Sequence, residues 1–259
     1  AASMSWVNSL PDHERMSGYY MASLNAGLVI GLIIAGWLAS HMPDPASGIL
    51  VFTGLAVIPA VAGFFVREVA AGTPPGDHRV LPFLLRDFRW LWYSSIILVG
   101  ITGGVTSLYP KFSGYTSESV GVWISLMSVA TILAVLAASR LSLPPVSTIR
   151  WSAALMVVAV MVSFYTPLGF VIIGTLAGFV MISQMAYLSG VKDHQGTAMG
   201  LFSTTSYLGM GILPVVAGLI ADATGFFVAF CVTALFAVTV FFTIGRCTCP
   251  GKIADSGHT

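Results

Sequence analysis

Residues 18–39 read GYYMASLNAGLVIGLIIAGWLA, a stretch without a single Asp, Glu, Lys, Arg or His. A hydrocarbon core about 30 Å thick is crossed by about 20 apolar residues in a helix, so this stretch can span a bilayer. Its apolar residues run on without the alternation of a barrel strand, and a helix bonds its own backbone where no water reaches. Residues 200–221, GLFSTTSYLGMGILPVVAGLIA, have the same character. Laid on the first stretch, they match Gly18 with Gly200, Gly27 with Gly209, Ile30 with Ile212, Ala35 with Ala217, Gly36 with Gly218 and Ala39 with Ala221. Ser23 falls on Thr205, and Asp12-His13 and Asp193-His194 stand before the two copies.

The rest of the chain is built the same way. Hydrophobic residues make up 56 % and charged residues 8 %, with a mean hydropathy of +0.90. A soluble domain carries about 25 % charge, so a water-soluble globule is excluded. A net charge of +1 gives no reason to expect nucleic acid. We expect an all-α membrane protein with eight transmembrane helices, near Met16–Ala39, Ile49–Val66, Trp90–Tyr109, Val120–Ala138, Trp151–Tyr165, Leu168–Ser189, Ala198–Ala221 and Phe226–Ile244. Thr166-Pro167 divides the long apolar run 151–189, which makes the fifth span short. The chain starts with Ala1 rather than Met, and we expect it to be a fragment.

Placing the connections on alternate sides sorts the charges. Ten of the 11 Lys and Arg residues (Arg15, Arg67, Arg79, Arg86, Arg89, Arg140, Arg150, Lys192, Arg246 and Lys252) fall on one side, and Lys111 alone on the other. Positive residues are retained in the cytoplasm during insertion. Both ends are therefore expected to be cytoplasmic, in an inner or plasma membrane. The connection 67–89 begins as a flexible linker at Ala70–Asp77 and ends in a basic, apolar stretch, Arg79–Arg89, that suits an amphipathic segment on the inner surface. It separates a first helical region, residues 1–66, from a six-helix bundle, residues 90–247, which is followed by a cytoplasmic tail, residues 248–259.

The repeat has the same orientation in both copies, so its axis would run along the membrane normal. With these glycines it resembles the major facilitator superfamily, whose two six-helix halves are joined by a long cytoplasmic loop. The resemblance implies that the eight spans are the family's fifth to twelfth helices, with Ala1–Leu10 ending the fourth and the earlier N-terminal helices missing. Residues 1–66 would then be the remnant of an N-terminal bundle. Antiporters of the family carry G-x8-G-x3-G-P-x2-G-G in the fifth helix. Gly18, Gly27, Gly31 and Gly36 take its glycine places, while Leu32 replaces the proline and Ala35 a glycine. In the second copy, Pro214 stands where Leu32 stands in the first. The family's inner-loop signature, G-x-x-x-D-R-x-G-R-R, is reduced here to Arg140 and Arg150 around Pro144-Pro145.

The resemblance implies a substrate site near the midplane, between the halves, with alternating access. No Asp, Glu, Lys, Arg or His lies deep in any expected span, so a proton-relay acid would lie in the missing helices, or transport proceeds without protons. The same absence speaks against an enzyme, which would need a nucleophile–base pair, paired carboxylates or a metal cluster. Cys247-Thr248-Cys249 has no His or Cys partner nearby and reads as two thiols, so neither metal nor cofactor is expected; Cys231 lies within a span. The candidate substrate-binding residues are uncharged: Asn25, Thr102, Thr106, Gln184, Tyr187, Ser206 and Tyr207. Plainer alternatives are a helix–helix hydrogen bond for Asn25, packing against a neighbouring helix for Gln184 and Tyr187, and bonds of the hydroxyls in Ser203–Tyr207 to their own i−4 carbonyls. Trp90, Trp92, Tyr109 and Trp151 lie near span ends and fit the interfacial aromatic belt. Gly18, Gly27, Gly31, Gly36, Gly209, Gly211, Pro214 and Gly218 are expected to serve helix packing or gating, as hinges do at Gly100, Gly103 and Gly104. The function expected is a secondary active transporter exporting a small hydrophobic or amphipathic organic solute. The alternatives are uptake or facilitated diffusion of a neutral metabolite, and a non-transporting membrane protein of the same fold.

Overall fold

In lipid every span must close its own backbone hydrogen bonds, so apolar runs of this length become continuous helices. The computed structural model describes residues 13–41, 45–65, 80–141, 143–191 and 195–246. Among these residues it holds helices and no strand. They are α1 (His13–His41), α2 (Pro45–Phe65), α3 (Val80–Asp87), α4 (Arg89–Phe112), α5 (Ser117–Ala138), α6 (Pro145–Tyr165), α7 (Leu168–Leu188), α8 (Gln195–Thr224) and α9 (Phe226–Thr243), which ends in a 3₁₀ turn, Ile244–Arg246. Seven of them are long and apolar enough to cross a membrane, and α2 is a further apolar helix. Each of the eight expected spans is thus helical. The fifth is not short: α6 starts at Pro145 rather than Trp151 and runs 21 residues. Proline suits the first turn of a helix, where its missing N–H has no partner to lose.

Side-chain contacts fix the helix directions. Ser95 meets Ser206, and Gly104 lies beside Leu213, so α4 and α8 run parallel. Ser94 meets Gln184 near one end and Tyr109 meets Phe170 near the other, so α7 is antiparallel to α4. Gly18 adjoins Ser139 and Gly36 adjoins Glu118, so α1 and α5 are antiparallel. Thr131 of α5 donates to the Gly174 carbonyl of α7 at 3.0 Å. At one end of the bundle Phe112 of α4 stacks on Phe164 of α6 at 5.2 Å and touches Phe226 and Phe230 of α9. At the other end Trp90 of α4 lies under Arg246. These directions agree with the alternation used to sort the charges. Arg89, Arg140, Arg150 and Arg246 share one end, and Lys111 lies at the opposite one.

The tightest seams are made by glycine. Without a Cβ, helix axes approach until backbones touch. A Cβ on Gly100 would lie 2.8 Å from the Gly209 carbonyl oxygen, and one on Gly209 would strike the Ile96 carbonyl. On the other side of the bundle, α1 meets α5 through Gly36 and through Gly121, whose added Cβ would be 3.2 Å from the Leu32 carbonyl.

Two expectations change. Tyr109 and Trp92 are not belt residues: they are 2 % and 4 % exposed. Tyr109 packs edge-on against Phe170, and Trp92 donates from Nε1 to the Leu84 carbonyl at 3.0 Å, which ties α3 to the start of α4. Trp151 is 63 % exposed. The copies of the repeat also differ in surroundings. Gly209 is pressed into α4, whereas a Cβ on Gly27 would meet nothing within 4 Å. Within 67–89, α3 gives the expected amphipathic segment, with Leu84 buried and Leu81, Phe83 and Leu85 exposed. The linker Ala70–Asp77 and Cys247-Thr248-Cys249 lie outside the described residues.

Candidate functional site

Three consecutive residues of α4 each make a side-chain hydrogen bond to a different helix. Successive helical residues point about 100° apart, so Tyr93, Ser94 and Ser95 reach three different neighbours. Tyr93 Oη pairs with Thr239 Oγ1 of α9 at 2.6 Å. Ser94 Oγ accepts from Gln184 Nε2 of α7 at 3.0 Å and itself donates to the Leu91 carbonyl at 2.7 Å. Ser95 Oγ pairs with Ser206 Oγ of α8 at 2.8 Å. Ser94, Ser95 and Gln184 have no exposed surface at all. Gln184 Oε1 is buried without a hydrogen-bond partner among the described residues. An unpaired buried acceptor costs about 1–3 kcal/mol.

Of the seven candidate binding residues, Gln184 and Ser206 therefore join one hub, and Tyr187 borders it. Tyr187 is buried and stands edge-on to Phe88, ring centres 5.9 Å apart. The others lie elsewhere. Asn25 is on the face of α1 turned to α5 and donates to the Met21 carbonyl at 2.9 Å. Thr102 donates to the Val99 carbonyl at 2.6 Å, and Thr106 to those of Thr102 and Gly103. Tyr207 is 72 % exposed, on the side of α8 away from α4. Sequence reasoning missed Tyr93, Ser94, Ser95 and Thr239. The available signal was the polar run Tyr93-Ser94-Ser95 just inside a span, which an interfacial reading absorbs.

Among the gating candidates, Pro214 packs on α4, its Cγ 3.5 Å from a Cβ placed on Gly103. Gly211 and Gly218 face open space, as do Gly27 and Gly31, while Gly18 is closed by Ser139. Between α1 and α5 lies a groove of about 220 Å³ lined by Ile33, Ile34, Trp37, Val122 and one carboxylate, Glu118. The described Asp, Glu, Lys, Arg and His residues stay at helix ends, and no group of three or more His, Cys, Asp or Glu that could hold a metal occurs among the described residues. Among the described residues the interior offers hydroxyl, amide and aromatic contacts but no Asp, Glu, Lys, Arg or His.

A family model, the Major Facilitator Superfamily, matches residues 1–212. Among curated proteins, the chain is 26 % identical over 239 residues to the quinolone resistance protein NorA of Staphylococcus aureus strain MRSA252. It is 25 % identical over the same length to NorA of strain N315. Both alignments cover 82 % of this chain and 60 % of the relative, so the chain spans about 60 % of the length of the curated relatives it matches.

Proposed function

From a chain that belongs to the major facilitator superfamily, we propose the C-terminal portion of a secondary transporter that exports a small hydrophobic or amphipathic organic compound by alternating access. The observation that carries this reading is the bundle interior, which buries hydroxyls, two amides and aromatic rings but no Asp, Glu, Lys, Arg or His among the described residues. Such an interior suits an uncharged or weakly polar solute. The relatives' name, which speaks of quinolone resistance, favours outward movement of a drug-like compound.

The longer chain would supply the earlier helices of the first half. The repeat supports this. The α1 face used against α5 holds Gly18, Asn25, Leu32 and Gly36; the matching α8 positions Gly200, Tyr207 and Gly218 are open or exposed. Conversely, α8 uses Gly209 against α4, and its match on α1, Gly27, is open. Gly200, Tyr207, Gly218 and Gly27 are thus bare where their matches are covered, whereas Pro214, the match of Leu32, packs on α4; two halves related by a two-fold axis would look so if some helices of one half lay outside the chain. On this reading residues 1–66 belong to the first half, 67–89 form the loop between halves, 90–247 form the second half and 248–259 the tail. Both termini would be cytoplasmic in an inner or plasma membrane, because the described arginines gather at one end.

The test is accumulation of a fluorescent hydrophobic dye in cells that express the chain together with its upstream coding sequence. The reading requires lower steady-state accumulation than in cells without it, restored when Ser95→Leu and Gln184→Leu are combined. Equal accumulation across a panel of hydrophobic and amphipathic dyes would reject export.

A further inference from the structure

Where α4 and α6 begin and α9 ends, three arginines meet around one turn. Arg89 Cζ stands 5.2 Å from the centre of the Trp90 ring, and Arg246 Cζ stands 5.7 Å from the same ring. Arg150 Cζ lies 4.6 Å from the centre of Phe241. Its Nη1 is 3.9 Å from a Cβ placed on Gly245, the neighbour of Arg246. All three arginines are exposed, and none forms an ion pair among the described residues. The nearest acid in sequence, Asp87, forms none either.

Like charges brought together repel, and no carboxylate among the described residues pairs with them. What holds the guanidinium groups is aromatic: cation–π contacts to Trp90 and Phe241. A planar guanidinium is suited to a phosphate oxygen pair. Directly beside the cluster the surface turns apolar. Trp151 is 63 % and Phe242 67 % exposed, and their rings lie 6.1 Å and 5.2 Å from that of Phe241. A ligand that satisfies both surfaces carries an anionic phosphate and a hydrocarbon tail. A soluble anion would leave the rings uncovered, and a neutral lipid would leave the charges unopposed.

We propose that Arg89, Arg150 and Arg246 hold the phosphate of an anionic phospholipid, with an acyl chain lying along Trp151 and Phe242. Basic pockets between helix ends are the kind of place where anionic headgroups bind. The site lies at the exposed helix ends, where Trp90 stands edge-on to Tyr93 at 6.4 Å, and the proposal does not depend on the export reading.

The purified full chain in uncharged detergent is titrated with phosphatidylglycerol, and the thermal unfolding midpoint is followed. The midpoint should rise by several degrees and saturate. Phosphatidylcholine and inorganic phosphate at the same concentrations should leave it unmoved. Arg89→Gln, Arg150→Gln and Arg246→Gln should each raise the half-saturating lipid concentration about fivefold. Arg140→Gln, at the same end of the bundle just past α5 but outside the cluster, should not. An equal rise with phosphatidylcholine, or with inorganic phosphate, overturns the proposal, as does an unchanged half-saturation in the three cluster variants. Should any one of them fail to fold, the other two decide by the same measure.

Discussion

Gly209 and Gly27 hold matching places in the repeat and should respond to substitution in opposite ways. Gly209→Ala drives a methyl group into the Ile96 carbonyl of a neighbouring helix backbone, which cannot move as a side-chain tip would. We expect a loss of about 1–3 kcal/mol, read as a lower unfolding midpoint in detergent. Gly27→Ala meets nothing within 4 Å and should be neutral or slightly stabilising in the 259-residue chain, because glycine inside a helix costs about 0.5–1 kcal/mol relative to alanine. Equal losses at both positions would mean that the copies are packed alike. Gln184 makes a second residue-level case. Gln184→Met removes one hydrogen bond to Ser94, worth about 0.5–1.5 kcal/mol, and with it an unpaired carbonyl of similar or greater cost. The melting midpoint should therefore change little. A collapse in stability would show that Oε1 has a partner of its own. Gln184 was legible as a polar residue within an apolar run, but its pairing with Ser94 was not, since the two lie 90 positions apart.

At the scale of elements, α4 organises its neighbours α7, α8 and α9. Its residues 93–95 tie α9, α7 and α8 to one turn, and its glycines admit α8 to backbone contact. A double-mutant cycle on Ser95→Ala and Ser206→Ala should give a coupling of about 0.6 kcal/mol, the usual size for a hydrogen bond between transmembrane helices. A coupling indistinguishable from zero would remove Ser206 from the hub. Pro214 lies in the middle of α8 and touches Gly103. A proline there frees a backbone carbonyl and lets the helix bend. Pro214→Ala is expected to slow transport in the longer chain while leaving the unfolding midpoint near its original value. An unchanged transport rate would exclude bending at this point as a step of the cycle. The existence of α4 to α9 could be read from their apolar runs. The start of α6 could not, because Pro144-Pro145 reads equally well as a loop or as the first turn of a helix.

At the scale of the whole molecule, the bare faces of α1 and α8 are the central fact. In a chain extended at its N-terminus, a cysteine introduced as Tyr207→Cys should be shielded from a membrane-permeant maleimide. In the 259-residue chain alone, where Tyr207 is 72 % exposed, it should react. Equal labelling in both would show that no helix covers that face.

The residue order alone determined the all-helical architecture, the approximate positions of the spans apart from the start of α6, their alternating directions and the gathering of arginines at one end. These depend on local composition, because bilayer thickness and the lack of water act on each stretch separately. Which face of α1 or α8 is used, the hub at Tyr93–Ser95, the burial of Tyr109 and Trp92, and the three arginines around one turn were decided only by tertiary structure. Helices apolar on every side carry no stripe that marks an inner face. In such helices the choice of neighbour rests on backbone approach at single glycines and on hydrogen bonds between residues far apart in the chain.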